Sequence, residues 1–499
     1  MNTTSHPLIR TLKTPLAVLA LAALAACSTK PVGPDYSVPN ESIAKQIAPD
    51  QNFAGTSDAT LASGDTPRVN NAPLPDHWWQ LYQDKGLDAL IGKAFEHNTD
   101  LRQALANLER VQAMETEAGG ATRPSASVSG GPGYGHISGL SELAPGFVPP
   151  NAFSYSVSSG ISYQLDLVGQ IRRSIEAAQA GTDAAQAAVD LTRVNVAAST
   201  ARAYADACTA GFRLDVMQHS IDLQMQSAQI SERLQQAGKV GSIDAQRARA
   251  QVEQLRSELP PLQALRQNAL YQLATLTGEQ PQNFPRDVLQ CRAAPQVAGV
   301  IPIGDGQALL RRRPDIRQAE RQLAQATAQI GVATADLYPK ISLGLSASSA
   351  GHMTGFGRGD TFGWSLGPLI SWSIPINGVA QARIAQAQAS TKGALAKFDG
   401  TVLTALRETE TALNNYAREL DRNARLKAAR AQSAQVASET RRLYVNGKTG
   451  YLDSLDAERV LASADTALAA SDSIIVADQM ALFLALGGGW STEATAAAH

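Results

Sequence analysis

Asp453 and Asp456 stand three residues apart, just after the glycine-flanked turn Gly447-Lys448-Thr449-Gly450. On a helix that spacing places both carboxylates on one face. Gathered from several copies, such pairs make a ring of negative charge that attracts cations and can hold a narrow constriction. A matching turn, Gly238-Lys239-Val240-Gly241, lies 209 residues upstream; there Asp244 matches Asp453, but Arg247 takes the place of Asp456. The charge difference suggests a site in which Arg247 and Lys448 tie neighbouring hairpins closed through the aspartates. Exposed acids favoured by the dipole at a helix start would give the same pattern.

The other reactive groupings point away from catalysis. Gly363-Trp364-Ser365-Leu366-Gly367 has the spacing of a hydrolase elbow, but that chemistry needs a strand-to-helix turn and here the alternation of a strand continues through it. Gly447-Lys448-Thr449 resembles part of a phosphate loop, yet Arg442 occupies the position of its first glycine. Seven His and three Cys are scattered without the close pairs that a zinc or redox centre requires, so no metal, cofactor or enzyme activity is expected. His97, His136, His219 and His352 are read as isolated surface or packing residues.

Cys27 ends the run Leu24-Ala25-Ala26-Cys27, which resembles a bacterial lipobox. Before it come Arg10, Lys13 and an apolar stretch from Pro15 to Ala26, the length of an export signal and too short to span a membrane. Cys27 would become the first mature residue and carry acyl chains, and Ser28, rather than Asp, implies by that resemblance sorting to the outer membrane. An ordinary cleaved signal with an incidental cysteine is the alternative.

The whole chain has 499 residues, is 44% hydrophobic and only 5% aromatic, and carries 43 basic against 45 acidic side chains, a net charge of -2. No basic block stands out, which argues against a nucleic-acid partner. Abundant Ala beside few aromatics suggests long, closely packed helices. No stretch after the signal is expected to reach the ~18 apolar residues of a membrane helix, so any crossing must use strands.

The mature chain is one unit written twice. A shift of 215 aligns Asp100-Leu101-Arg102-Gln103-Ala104 with Asp315-Ile316-Arg317-Gln318-Ala319 and Pro124 with Pro339; a shift of 209 aligns Arg233 to Asp244 with Arg442 to Asp453. In each copy a helical pattern (94 to 123, 309 to 338) leads into two runs of period two. Tyr155, Val157, Ile161, Tyr163 and Leu165 share one face; in the second copy Phe362, Trp364, Leu366, Ile370, Trp372, Ile374 and Ile376 do so. Tyr155 and Tyr163, like Trp364 and Trp372, are eight residues apart, a rise of ~26 Å, or ~20 Å when tilted, close to the spacing of membrane aromatic girdles. A soluble sandwich with aromatic core positions alternates likewise. Four strands cannot close a transmembrane barrel, whose minimum is about eight, so several chains must contribute.

Proline-free helical stretches of 68 residues follow, Gln170 to Ala237 and Val379 to Asn446, each ~100 Å long, with Gly181, Gly211, Gly393 and Gly400 as possible bends. Return helices run from Ser242 towards Gly278 and from Tyr451 towards Gly487. Cys208 and Cys291 then fall at comparable heights above the tip, which leaves their pairing open.

In order and spacing these residues resemble the outer-membrane efflux protein family, the TolC-like channels, and its lipoprotein branch serving resistance-nodulation-division pumps. The resemblance is carried by Pro31-Val32-Gly33-Pro34-Asp35-Tyr36, Trp78-Trp79 with Tyr82, Leu165-Asp166-Leu167-Val168-Gly169 and Arg312-Arg313-Pro314-Asp315-Ile316. It implies an α+β membrane protein: a homotrimer whose four strands per chain form a 12-stranded β-barrel in outer-membrane lipid, continued by a long periplasmic α-helical barrel. It also implies a periplasmic adaptor and an inner-membrane transporter as partners. Leu452, Asp453 and Asp456 match the family's periplasmic gate, six carboxylates in a threefold ring, with Asp244, Arg247 and Lys448 as gate partners. The adaptor is expected at the tips, around Gly238, Lys239, Gly241, Gly447 and Gly450.

The expected organisation is a signal (1–26), an anchor and equatorial segment (27–90), repeat 1 (91–285), a linker (286–305), repeat 2 (306–490) and a tail (491–499). Strands are expected about 125–135, 153–167, 340–349 and 361–376. The expected function is passive export of drugs or other small toxic compounds; a type I secretion duct and a periplasm-spanning structural lipoprotein are the alternatives.

Overall fold

The structure, a computed structural model, describes residues 30–48, 52–57, 68–136, 146, 148, 150–297 and 299–488. The signal segment, Cys27 and the 491–499 tail lie outside the described residues. The first repeat runs α1 (Lys85–His97), α2 (Thr99–Gly120), β1 (Ser125–Gly135), β2 (Ala152–Leu165), α3 (Gln170–Gln236), α4 (Ser242–Arg256) and α5 (Leu259–Leu276). The second runs α6 (Gly306–Arg312), α7 (Pro314–Ala335), β3 (Lys340–His352), β4 (Phe362–Ser371), α8 (Val379–Val445) and α9 (Tyr451–Ala485). The chain divides into two compact units, residues 1–38, 109–183 and 320–396, and residues 39–108, 184–319 and 397–499.

The opening helix of each repeat is broken where a single one was expected. In the first, buried Asn98 leaves the helical region and its Oδ1 accepts from the backbone N–H groups of Asp100 and Leu101, starting α2 anew. In the second, the equivalent residue is Arg313, held extended by Pro314, because proline disfavours a helical residue before it. By contrast α3 and α8, 67 residues each, run unbroken through all four glycines. Each glycine costs ~1 kcal/mol in a helix, which packing along the rest outweighs.

The first unit holds the sheet, antiparallel in the order β1-β2-β3-β4. Its two faces differ sharply. One carries Val128, Val157, Ile161, Tyr163, Leu343, Leu345, Trp364, Leu366 and Ile370, all exposed, with Ile161 opposite Leu345 and Leu345 opposite Leu366. The other is mainly serine and glycine, with Leu369 exposed among them opposite Ser342, and is knitted by Ser125–Ser162, Ser129–Ser158 and Ser346–Ser365 hydroxyl contacts of 2.8 to 2.9 Å. β4 stops at Ser371 rather than Ile376: its partner β3 begins at Lys340, opposite Ser371, so no backbone remains to pair with. β1 and β4 are both edges.

The second unit is mainly helical, with one short parallel pairing of Val69–Asn70 and Ile301–Pro302. α8 and α9 form an antiparallel hairpin, with contacts Tyr416–Gln479, Asn423–Asp472, Arg430–Asp465 and Tyr444–Tyr451 stepping towards the tip. The return helix of the first hairpin, expected unbroken, divides into α4 and α5 at Ser257-Glu258, ahead of Pro260 and Pro261 in the first turn of α5. α9 corrects a second expectation, since it is long and apolar enough to cross a membrane. Its C-terminal end packs into the core: Phe483 stacks on Trp78 at 4.6 Å between ring centres, and Tyr82 closes over both.

Asp478 on α9 sits where burial, and then the nearby Glu419 charge, push its carboxyl up to about 6 against the pull of Arg202. A group whose pKa rises on folding holds its proton better in the native state. Stability therefore falls as pH climbs from about 4 to about 6 and stays lower above. Asp478→Asn is expected to raise thermal stability at pH 7.5 by ~1 kcal/mol after allowance for solvent screening, and to change nothing below pH 4; unfolding midpoints at the two pH values check this.

Candidate functional site

Both tips are built the same way. Gly238 and Gly447 each have φ of 68°, the left-handed conformation that glycine adopts without strain. At the first, Lys239 N–H donates to Leu234 O and Gly238 N–H to Gln235 O, both at 2.9 Å; at the second, Lys448 N–H donates to Leu443 O and Gly447 N–H to Tyr444 O at the same distance. These two glycines are therefore required by the turn. Gly241 and Gly450 differ: they precede α4 and α9 with ordinary negative φ. Lys239 and Lys448 are exposed.

The tips pack on each other through Ala248 and Val252 of α4, Tyr444 of α8, and Tyr451 and Leu455 of α9. Burying that face of α9 turns the opposite one outward. Leu452 is 55% exposed, and Asp453 and Asp456 are exposed beside it. The Asp453 carboxylate accepts from Thr449 Oγ1. Arg247 lies 3.7 Å from Asp244 on its own helix. The expected tie from Arg247 and Lys448 to Asp453 and Asp456 is thus not made within one chain: the cation has a nearer carboxylate one helical turn away, and Lys448 makes no ion pair among the described residues.

A second charge reversal between the repeats was missed in the sequence. Glu232 and Arg249 of the first hairpin pair at 2.6 Å. Their equivalents 209 residues on, Arg441 and Glu458, carry swapped charges and reach instead to α3. Glu458 Oε1 accepts from Ser227 Oγ at 2.5 Å, and Arg441 donates to Gln226 Oε1 at 3.2 Å. Burial pushes the Glu458 carboxyl up, more than Ser227 and Arg441 pull it down. Glu458 Oε2, Gln224 Nε2 and Tyr451 Oη are buried there without a hydrogen-bond partner among the described residues. The repeat offset applied to charged residues would have revealed the swap.

On the sheet, Trp364 is 70% exposed, and Tyr163 and Trp372 are exposed too. Trp372 lies one residue beyond β4, its indole N–H donating to Leu337 O at 3.2 Å. Tyr155 departs from the expectation at 5% exposure. Its hydroxyl sits 2.9 Å from both Ser349 Oγ and Thr361 Oγ1, and Phe356 from the loop after β3 packs edge-on against its ring. Tyr134, Phe153, Phe356 and Phe362 are the exposed aromatics at that end. Their positions flanking the two strand-to-strand loops were the available signal.

An apolar sheet face standing open, a serine-lined face behind it, and paired helical hairpins ending in exposed acids define a subunit of an outer-membrane channel. The chain belongs to the outer membrane efflux protein family, which residues 90–279 and 306–488 match. It is 29% identical over 426 residues to nodulation protein T of Rhizobium leguminosarum bv. viciae, covering 84% of this chain and 85% of that one. It is 28% identical to the solvent efflux pump outer membrane protein SrpC of Pseudomonas putida, covering 96% and 98%.

Among solved structures, the outer-membrane channel OprN superposes with a TM-score of 0.82 at 31% identity, covering 92% of this chain and 99% of that one. The Campylobacter jejuni CmeC outer membrane channel shares the fold, with a TM-score of 0.80 at 20% identity over 94% and 98%. The fold is that of a β-barrel, to which this chain gives four strands, together with an α-helical barrel. The protein is an efflux component of the outer membrane that extends into the periplasm, and its family is one of ducts rather than enzymes.

Proposed function

We propose that three copies close a 12-stranded barrel and that the pore passively conducts drugs or other small toxic compounds from the periplasm to the exterior. The observation that carries this is the sheet: β1 and β4 leave two unpaired edges, and lipid tolerates none. Its exposed apolar face suits lipid, and its serine face suits a water-filled lumen. Relatives named for solvent, toluene and antibiotic efflux support the substrate class.

In this reading Leu452, Asp453 and Asp456 from three chains form the periplasmic constriction, and Arg247 and Lys448 reach acids of an adjacent copy. The tips receive a periplasmic adaptor joined to an inner-membrane resistance-nodulation-division transporter. Gly241 and Gly450 support that contact, since their φ values do not demand glycine and a Cβ on Gly241 would meet nothing within 4 Å. Acyl chains on Cys27 would fix the amino terminus in the membrane.

The test is electrical. Purified protein in a planar bilayer should give steady, voltage-independent ion conductance. A periplasm-spanning structural lipoprotein would give none.

A further inference from the structure

The first repeat carries a stripe that the second lacks. Cys208, Gly211 and Asp215 follow one another on α3 at intervals of three and four, hence on one face. The equivalent residues of α8, 209 further on, are Ala417, Leu420 and Ala424. All three side-chain positions of the stripe meet the segment that joins the repeats. Cys208 is disulfide-bonded to Cys291, with Cα atoms 4.9 Å apart. A Cβ on Gly211 would stand 2.5 Å from the Cys291 carbonyl oxygen, so glycine is what lets the linker lie so close. Asp215 pairs with Arg292, and Arg266 of α5, whose guanidinium lies beside Gly211, donates to the Leu289 carbonyl. Residues 289–292 thus occupy a socket made by α3 and α5, and the bond closes one loop, 83 residues from cysteine to cysteine, that takes in α3 from Cys208 onward, the tip turn, α4 and α5.

Cys208 has no exposed surface. Its thiol chemistry must therefore be finished before α3 packs, while the chain is still open. Cys208 also precedes Cys291 in the chain, so it enters the periplasm first. We propose that the exported, unpacked chain is a substrate of a periplasmic dithiol oxidase, and that closing this socket by oxidation is a condition of channel assembly. The step balances as two exchanges. The Cys208 thiolate attacks the oxidase disulfide, forming a mixed disulfide and expelling one oxidase thiolate. The Cys291 thiolate then attacks Cys208 Sγ, forming the protein disulfide and expelling the second. The two protons that the cysteines give up are taken up, through solvent, by the two expelled thiolates, and two electrons pass to the oxidase, which leaves as a dithiol. The inference rests on the periplasmic location and not on the gate, so conductance and oxidation can fail separately.

The experiment follows full-length chains in cells with and without the oxidase, by alkylation trapping, non-reducing gels and the yield of assembled oligomer. The wild-type yield should fall at least tenfold without the oxidase and recover when cystine is added to the medium. Cys291→Ala, which lacks the resolving thiol, should accumulate a reducible adduct with the oxidase at least fivefold above Cys208→Ala. The double variant should form no adduct and stay poorly assembled with or without cystine. Gly211→Ala, which keeps both thiols, should slow bond formation severalfold. Full assembly of the double variant, or undiminished wild-type assembly with both thiols free in oxidase-lacking cells, would overturn the proposal. Equal adducts from both single variants would overturn the order of attack.

Discussion

Leu366→Arg is expected to cut the yield of membrane-assembled channel by at least tenfold. Leu366 is 69% exposed in the middle of β4 and heads a row of apolar residues running across the sheet, Leu366 to Leu345 to Ile161. An arginine on the lipid face of a barrel costs ~2–4 kcal/mol near the bilayer midplane, and a threefold barrel would incur that cost three times. The neighbouring substitution Ser365→Arg is the control. Ser365 points to the other face, where its hydroxyl meets Ser346 at 2.8 Å, and water in the lumen can solvate the new charge. Heat-resistant oligomer in outer-membrane fractions should be lost for the first variant and largely retained for the second. Equal loss in both would mean that the apolar face does not meet lipid.

Removing the acids at the tip should act on conduction instead of assembly. Asp453→Ala with Asp456→Ala takes two exposed carboxylates from each chain, neither of them paired with a basic side chain among the described residues. In the proposed threefold ring that abolishes six negative charges at the proposed constriction. Single-channel conductance should rise at least about twofold, and both cation preference and block by polyvalent cations should weaken, because a charge ring selects by attraction. Leu455 and Tyr451, which pack the tips together, are untouched, so oligomer yield should match wild type. Conductance and selectivity unchanged in a planar bilayer would reject the constriction.

Much of the fold was legible because the chain is repetitive and its periods are clean. Alternation of period two pointed to the four strands of the antiparallel sheet, though not to the short pairing of Val69–Asn70 with Ile301–Pro302, and the repeat offset placed Gly238 with Gly447 and Asp244 with Asp453. What stayed hidden depends on partners distant in sequence. β4 ends at Ser371 because β3 starts at Lys340, a fact of register that the apolar pattern through Ile376 does not record. Tyr155 alternates as a girdle residue should, yet Phe356 and Thr361 from a later loop cover it. The break at Arg313 could be read from Pro314, whereas that at Asn98 follows from a cap that no proline announces. Rough height above the tip left the Cys208 and Cys291 pairing open, and what decided it was the course of the linker across Gly211. At the site, spacing put Asp453 and Asp456 on one face; that Arg247 turns to Asp244 is a contest between nearby carboxylates, visible only in three dimensions.

The central claim is that one chain supplies a third of a pore wall, and the mass of the intact particle tests it most directly. Native mass spectrometry of protein extracted in mild detergent should give three chains per particle, with no lone chain stable at assay concentration. A monodisperse single chain that keeps its sheet would contradict the account, because β1 and β4 would then stand unpaired in the membrane.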